Sequence, residues 1–140
     1  ERELEAIQFL LHKSIPGHEE TFYEVSETEI QPGDIVLFPI ENLQSLYCLF
    51  KHAAVYVGDG EVIHFQGLKD KSSTGWVSKE GFHALKKARG KFQIWRKRGG
   101  IKVNEFCARV RQAMNNVAYY NLGTKHCIHF ALWLLGLEDF

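Results

Sequence analysis

No apolar run in this sequence approaches the roughly 18–20 residues that a membrane-spanning helix needs. The longest, Phe130 to Leu135, is six residues. The opening Glu1-Arg2-Glu3-Leu4-Glu5 lacks the apolar centre of a secretory signal. It also begins with Glu rather than Met, which reads as an excised domain or a processed product. Net charge is missing too, since Lys plus Arg and Asp plus Glu both number 17. That argues against a generally basic nucleic-acid binder, and no nucleic-acid partner is expected. Cysteine is sparse: Cys48, Cys107 and Cys127 are an odd number and form no CxxC pair. A disulfide framework or a structural zinc site is therefore not expected, and a reducing, cytoplasmic compartment fits better. No HxH or CxxC cluster suggests a metal centre, no cofactor motif is found, and there is no internal repeat or low-complexity stretch.

What remains is a chain of 140 residues, 45% hydrophobic and 13% aromatic, which is enough for one domain with a buried core. Charge is unevenly placed. Nine acidic residues lie between Glu1 and Asp34, against Arg2 and Lys13, whereas Lys86 to Arg98 holds seven basic residues interleaved with Phe92, Ile94 and Trp95. That basic stripe reads either as a solvated strand and turn or as a surface for anionic lipid.

Hydrophobic spacing outlines the elements. Leu4, Ile7, Leu10 and Leu11 predict an amphipathic helix over 1–13, ended by Pro16-Gly17. Residues 1–28 are read as this helix and a linker, and 29–140 as the main domain. Gln31-Pro32-Gly33-Asp34 predicts a turn that launches the strand Ile35–Phe38, stopped by Pro39. Residues 40–51 read as a loop or short helix. His52–Val57 and Glu61–Phe65 predict a hairpin around Gly58-Asp59-Gly60. Residues 67–81 read as a loop and Phe92–Arg96 as a strand closed by Gly99-Gly100. Apolar positions from Val103 to Val117 predict a helix of about four turns, broken at 120–123. A last helix is expected over about 125–135, with Thr124 as N-cap and Gly136 past its end. The fold class is α+β, a small antiparallel sheet packed on two or three helices.

The hairpin carries the first chemical clue. A two-residue turn would send His52 and His64 to opposite faces. A three-residue loop over 58–60 pairs Val57 with Glu61 and Ala54 with His64, which places both imidazoles on one face. Either can equally be a packing residue. Cys127 is the second clue. It falls in the first turn of the last helix, where backbone N–H groups and the helix dipole favour a thiolate, although such a cysteine can also be plain core. One Cys and two same-face His meet the type requirements of an activated nucleophile. By comparison Cys48 and Cys107 read as small buried hydrophobes, and His12, His18 and His83 as surface residues. His129 is turned away from Cys127 on the helix, and His126 is undecided.

Pro32-Gly33-Asp34-Ile35 with His52-Ala53-Ala54-Val55-Tyr56-Val57-Gly58-Asp59-Gly60-Glu61-Val62-Ile63-His64-Phe65 resembles the His-containing box of the lecithin:retinol acyltransferase and H-rev107 family, permuted (papain-like) relatives of the NlpC/P60 thiol hydrolases. His126-Cys127-Ile128-His129-Phe130 resembles that family's second motif, Asn-Cys-Glu-His-Phe. The resemblance spans about residues 31–66 and 118–136. It implies Cys127 as the nucleophile that forms an acyl-thioester, His52 as its general base, and His64 as the third residue supporting His52. The implied reaction is acyl transfer from phospholipid or phospholipase A-type hydrolysis, in a cytoplasmic protein that can associate with membranes and whose partner is an acyl lipid. The motif departs at His126, where the family has Asn, and at Ile128, where it has Glu. Two alternatives stand beside this reading. One is a non-enzymatic domain of the same type, as in the picornaviral 2A proteins, which acts by binding protein partners. The other is a thiol amidase or peptidase.

Overall fold

The computed structural model describes residues 22–39, 50–67, 75–114 and 127–137, with the main chain alone at Pro39, Phe50, Lys51, Gln66, Gly67, Gly75, Cys127, Ile128 and His129. The expected helix over 1–13, most of the 40–51 segment, the break at 120–123, Thr124, His126 and Cys48 lie outside these residues.

Six strands form one antiparallel sheet: β1 Phe22–Val25, β2 Ile35–Pro39, β3 Phe50–Gly58, β4 Glu61–Gly67, β5 Gly75–Gly81 and β6 Gln93–Lys97, in spatial order β1-β6-β2-β3-β4-β5. Among the described residues three α-helices accompany them: α1 Phe82–Arg89, α2 Val103–Met114 and α3 Cys127–Leu134. The fold is α+β, as the residue pattern predicts.

Alternation along the central strands sorts two cores onto opposite faces. Ile35, Leu37, Ala53, Val55, Ile63 and Phe65 face α3, whose Phe130, Ala131, Leu132 and Leu134 are buried there together with Leu135 just past its end. Val36, Phe38, Ala54, Val62 and Ile94 face α1 through Phe82 and Leu85. This explains why β2 and β3 read as nearly continuous apolar runs: both of their faces are covered.

The expected turn forms. Asp34 N–H donates to the Gln31 carbonyl at 3.0 Å, and Gly33 takes φ 96°. Asp34 is 1% exposed and accepts from the Gln31 amide at 2.8 Å. Arg96 meets it from β6 in a two-pronged pair, Nε to Oδ1 and Nη2 to Oδ2, both at 2.9 Å. The same guanidinium donates to the Glu29 carbonyl at 2.6 Å, so one side chain ties the turn, β6 and the segment after β1 together. The bond to Asp34 raises the Arg96 pKa further above its ordinary value. Bidentate pairing is what makes a buried charge tolerable here.

Two expectations need correction. Residues 67–81 are not all loop: β5 pairs with β4 from Gly67↔Gly75 to Glu61↔Gly81. It is an edge strand with few apolar side chains, so its periodicity is weak. The basic stripe is not one strand and turn either, because Lys86 to Arg89 belong to α1. Gly90, at φ 83°, ends that helix before β6 begins.

The last helix stops where expected. Gly136 takes φ 78°, its N–H donates to the Trp133 carbonyl, and the Leu137 N–H donates to the Leu132 carbonyl, both at 2.9 Å. This pair of bonds is a Schellman cap.

Candidate active site

The hairpin between β3 and β4 sets the site. Gly58 pairs with Glu61 across a two-residue turn, in which Asp59 and Gly60 have φ of 54° and 73°. Positive φ at both positions suits the right-handed strand twist. Between Tyr56 and Gly58 the register shifts by one residue, so the pairs become Tyr56↔Val62 and Val55↔Ile63. The expected three-residue loop is thus a two-residue turn plus a bulge at Val57. Both arrangements restore the same register, so the expected common face for His52 and His64 holds.

The two imidazoles meet on that face. His52 Nε2 and His64 Nδ1 are 2.6 Å apart, and the rings pack edge to face at 4.8 Å between centroids. Both side chains are buried. Phe38, opposite His52 on β2, stacks on its ring at 6.5 Å. Burial lowers the His52 pKa from 6.5 to about 3, helped by the Arg89 charge at the end of α1 and by His64. Burial, then Arg89, lowers that of His64 to about 4. Desolvation penalises the imidazolium, so both rings are neutral at pH 7.

The second nitrogen of His64 points at β5. Glu80 Oε2 lies 3.3 Å from Nε2, yet Nε2 makes no aligned hydrogen bond.

Cys127 is the first residue of α3. The polarity of that helix decides which end of the sheet it approaches. Phe130, one turn on, packs its ring 5.9 Å from Phe65, the neighbour of His64 on β4. The far end of α3 lies beside a cavity of about 470 Å³, lined by Ile101, Lys102, Arg109, Leu135 and Gly136 among others. Ile101 in turn sits against Gly33, at the opposite end of β2 from Phe38 and hence of the sheet from His52. The backbone of Cys127 therefore starts α3 at the end of the sheet where the histidines lie. The imidazoles project from the α1 face, and the body of α3 covers the other.

Other sequence-predicted residues fall elsewhere. Cys107 is a free thiol, only half-buried on α2, not the buried residue expected, and His83 is exposed as expected. Of the basic stripe, Lys86 pairs with Glu27 and lies over the Phe82 ring, Arg96 holds Asp34, Lys97 donates to the Arg98 and Gly100 carbonyls, and Arg98 covers the Tyr23 ring. Lys87 and Lys91 are exposed. Sequence reasoning missed Arg89 and Glu80: Arg89 looked like one more surface cation, and Glu80 fell in a segment read as loop. Among the described residues no three His, Cys, Asp or Glu gather to hold a metal, and no helix is long and apolar enough to cross a membrane.

No curated protein matches the chain. The family model described as "Lecithin retinol acyltransferase" matches residues 28–136.

Proposed function

The chain belongs to the lecithin retinol acyltransferase family, and from that premise we propose that it is a thiol-dependent enzyme that takes an acyl group from phospholipid onto Cys127. The observation that carries this reading is the buried imidazole pair, with Nε2 of His52 held 2.6 Å from Nδ1 of His64 at the end of the sheet where the Cys127 helix begins.

With its Nε2 committed to His64, His52 has Nδ1 left to serve the thiol. Both imidazoles are neutral at pH 7, so His52 is already in its base form and Cys127 need not be a resting thiolate. The Cys127 Sγ adds to the ester carbonyl carbon while its proton passes to His52 Nδ1. Backbone amides in the first turn of α3 stabilise the oxyanion. As the intermediate collapses, the C–O bond to the glycerol breaks, and the lysophospholipid oxygen takes the proton back from His52. A thioester on Cys127 remains. Water, or an alcohol or amine acceptor, attacks it with His52 again as base, and the thiol is regenerated.

A second reading, a non-catalytic binding domain, draws on His126 and Ile128, which replace the Asn and Glu of the family pattern. The two are separated by incubating the chain with phosphatidylcholine vesicles and quantifying lysophospholipid and free fatty acid. The catalytic reading predicts product that is lost in Cys127→Ala and at least a hundredfold slower in His52→Ala. Absence of any Cys127-dependent product would discard it in favour of the binding reading.

A further inference from the structure

We propose that Glu80 is a positioning residue that fixes the tautomers of both histidines and so selects Nδ1 of His52 as the basic nitrogen. Its catalytic consequence rests on the function proposed above; its effect on the imidazoles does not.

The placement follows from the sheet. β5 pairs with β4 with Ser78 opposite His64 and Glu80 opposite Val62. Glu80 is thus a diagonal neighbour of His64 on the same face, within reach of a long side chain. Its Oε2 comes to 3.3 Å from His64 Nε2. The imidazole is 1% exposed and the carboxylate 40%, so one partner is locked in the core and the other remains hydrated. On the opposite face of β5, Lys79 turns to Glu61 at 3.5 Å and does not compete for Glu80.

A buried ring nitrogen that faces a carboxylate is stable only with its hydrogen on it, because two lone pairs repel. His64 therefore carries Nε2–H, and its Nδ1 accepts. The 2.6 Å contact then requires His52 to donate from Nε2. That leaves the lone pair of His52 on Nδ1. Without Glu80 the relay can run the other way, with His64 Nδ1–H donating to His52 Nε2. The hydrogen of His52 then sits on Nδ1, where it blocks the base. Glu80 matters again when a proton arrives. Among the described residues the Arg89 charge on α1 disfavours imidazolium, whereas a carboxylate 3.3 Å from His64 Nε2 is placed to favour it. The unaligned contact tightens as positive charge builds on the rings.

Two variants separate position from charge. Glu80→Gln keeps an acceptor but no charge, and Glu80→Ala keeps neither; at an edge position this exposed, both are expected to fold, as circular dichroism would confirm. Long-range nitrogen–proton NMR of the imidazoles at pH 7.5 should show Nε2–H on both histidines in the wild type and in Glu80→Gln. Glu80→Ala should show Nδ1–H forms. Where turnover is present, Glu80→Ala should lower kcat about 10–100-fold with KM little changed, and Glu80→Gln should fall between. Unchanged tautomers in Glu80→Ala would overturn the inference whatever the activity. Shifted tautomers in a protein without acyl turnover would sustain it and count against the proposed function instead.

Discussion

Acidification from pH 7.5 to pH 5 is expected to cost the fold about 4 kcal/mol through His52 and His64 alone. In the folded chain their pKa values are lowered from 6.5 to about 3 and about 4, chiefly by burial. In the unfolded chain both bind protons as the pH falls below about 6.5, while the folded chain holds them neutral. The unfolded state then carries more protons, so stability falls as pH falls. The loss begins near pH 6.5 and continues until the folded rings themselves titrate, near pH 4 and then 3. At about 1.4 kcal/mol per pH unit, each histidine contributes roughly 2 kcal/mol of loss by pH 5. Domains of this size have about 5–15 kcal/mol in total, so the chain should approach unfolding in mild acid. Urea unfolding followed by tryptophan fluorescence between pH 7.5 and 5 measures the slope. A His52→Leu, His64→Leu double variant removes both groups and should flatten it by about that amount. Should the double variant not fold, NMR of the wild-type imidazoles answers the same question. Equal slopes in the two proteins, or ring resonances that titrate near pH 6.5, would refute the reasoning.

Other consequences are equally specific. Asp34→Asn leaves the Arg96 guanidinium facing a neutral amide at the junction of the turn and β6, and should destabilise by about 3 kcal/mol in urea unfolding, the low end for a broken buried pair because Arg96 is partly hydrated. Gly33→Ala should lower the Tm more than Gly60→Ala. Both positions have positive φ, but a Cβ on Gly33 falls 2.7 Å from Ile101 Cδ1, whereas one on Gly60 meets nothing within 4 Å. The expected costs are about 2–4 and about 1 kcal/mol.

The histidine pair was legible because strand faces alternate with a period of two, and a register error of one residue would have separated the rings. The tip was misread, yet the bulge at Val57 compensates for the shorter turn and the parity survives. The stop of the last helix was legible to within a residue because Gly136 marks it and the apolar run forms its body. Glu80 was not legible. Its strand lies at the sheet edge, and the six residues Trp76 to Gly81 place only Val77 against the core. The partnership of Asp34 with Arg96 spans 62 positions and has no local signature, so Arg96 looked like one more surface cation. Nor does the sequence say that the histidines share a sheet face with α1 while α3 packs on the other. That follows from which helix each strand face covers, a tertiary choice that local spacing does not encode.

The central claim is that Cys127 and the buried histidines form one acyl-transfer device. Intact-protein mass spectrometry after brief exposure to phosphatidylcholine vesicles of a single acyl composition, with quenching in acid, tests it most directly. The account predicts a mass increase of one acyl chain, mapped to Cys127, cleaved by hydroxylamine, and lost in both Cys127→Ala and His52→Ala. A protein that gains no adduct under turnover or quench, and whose Cys127 alkylates with iodoacetamide at the same rate in wild type and His52→Ala, would contradict it.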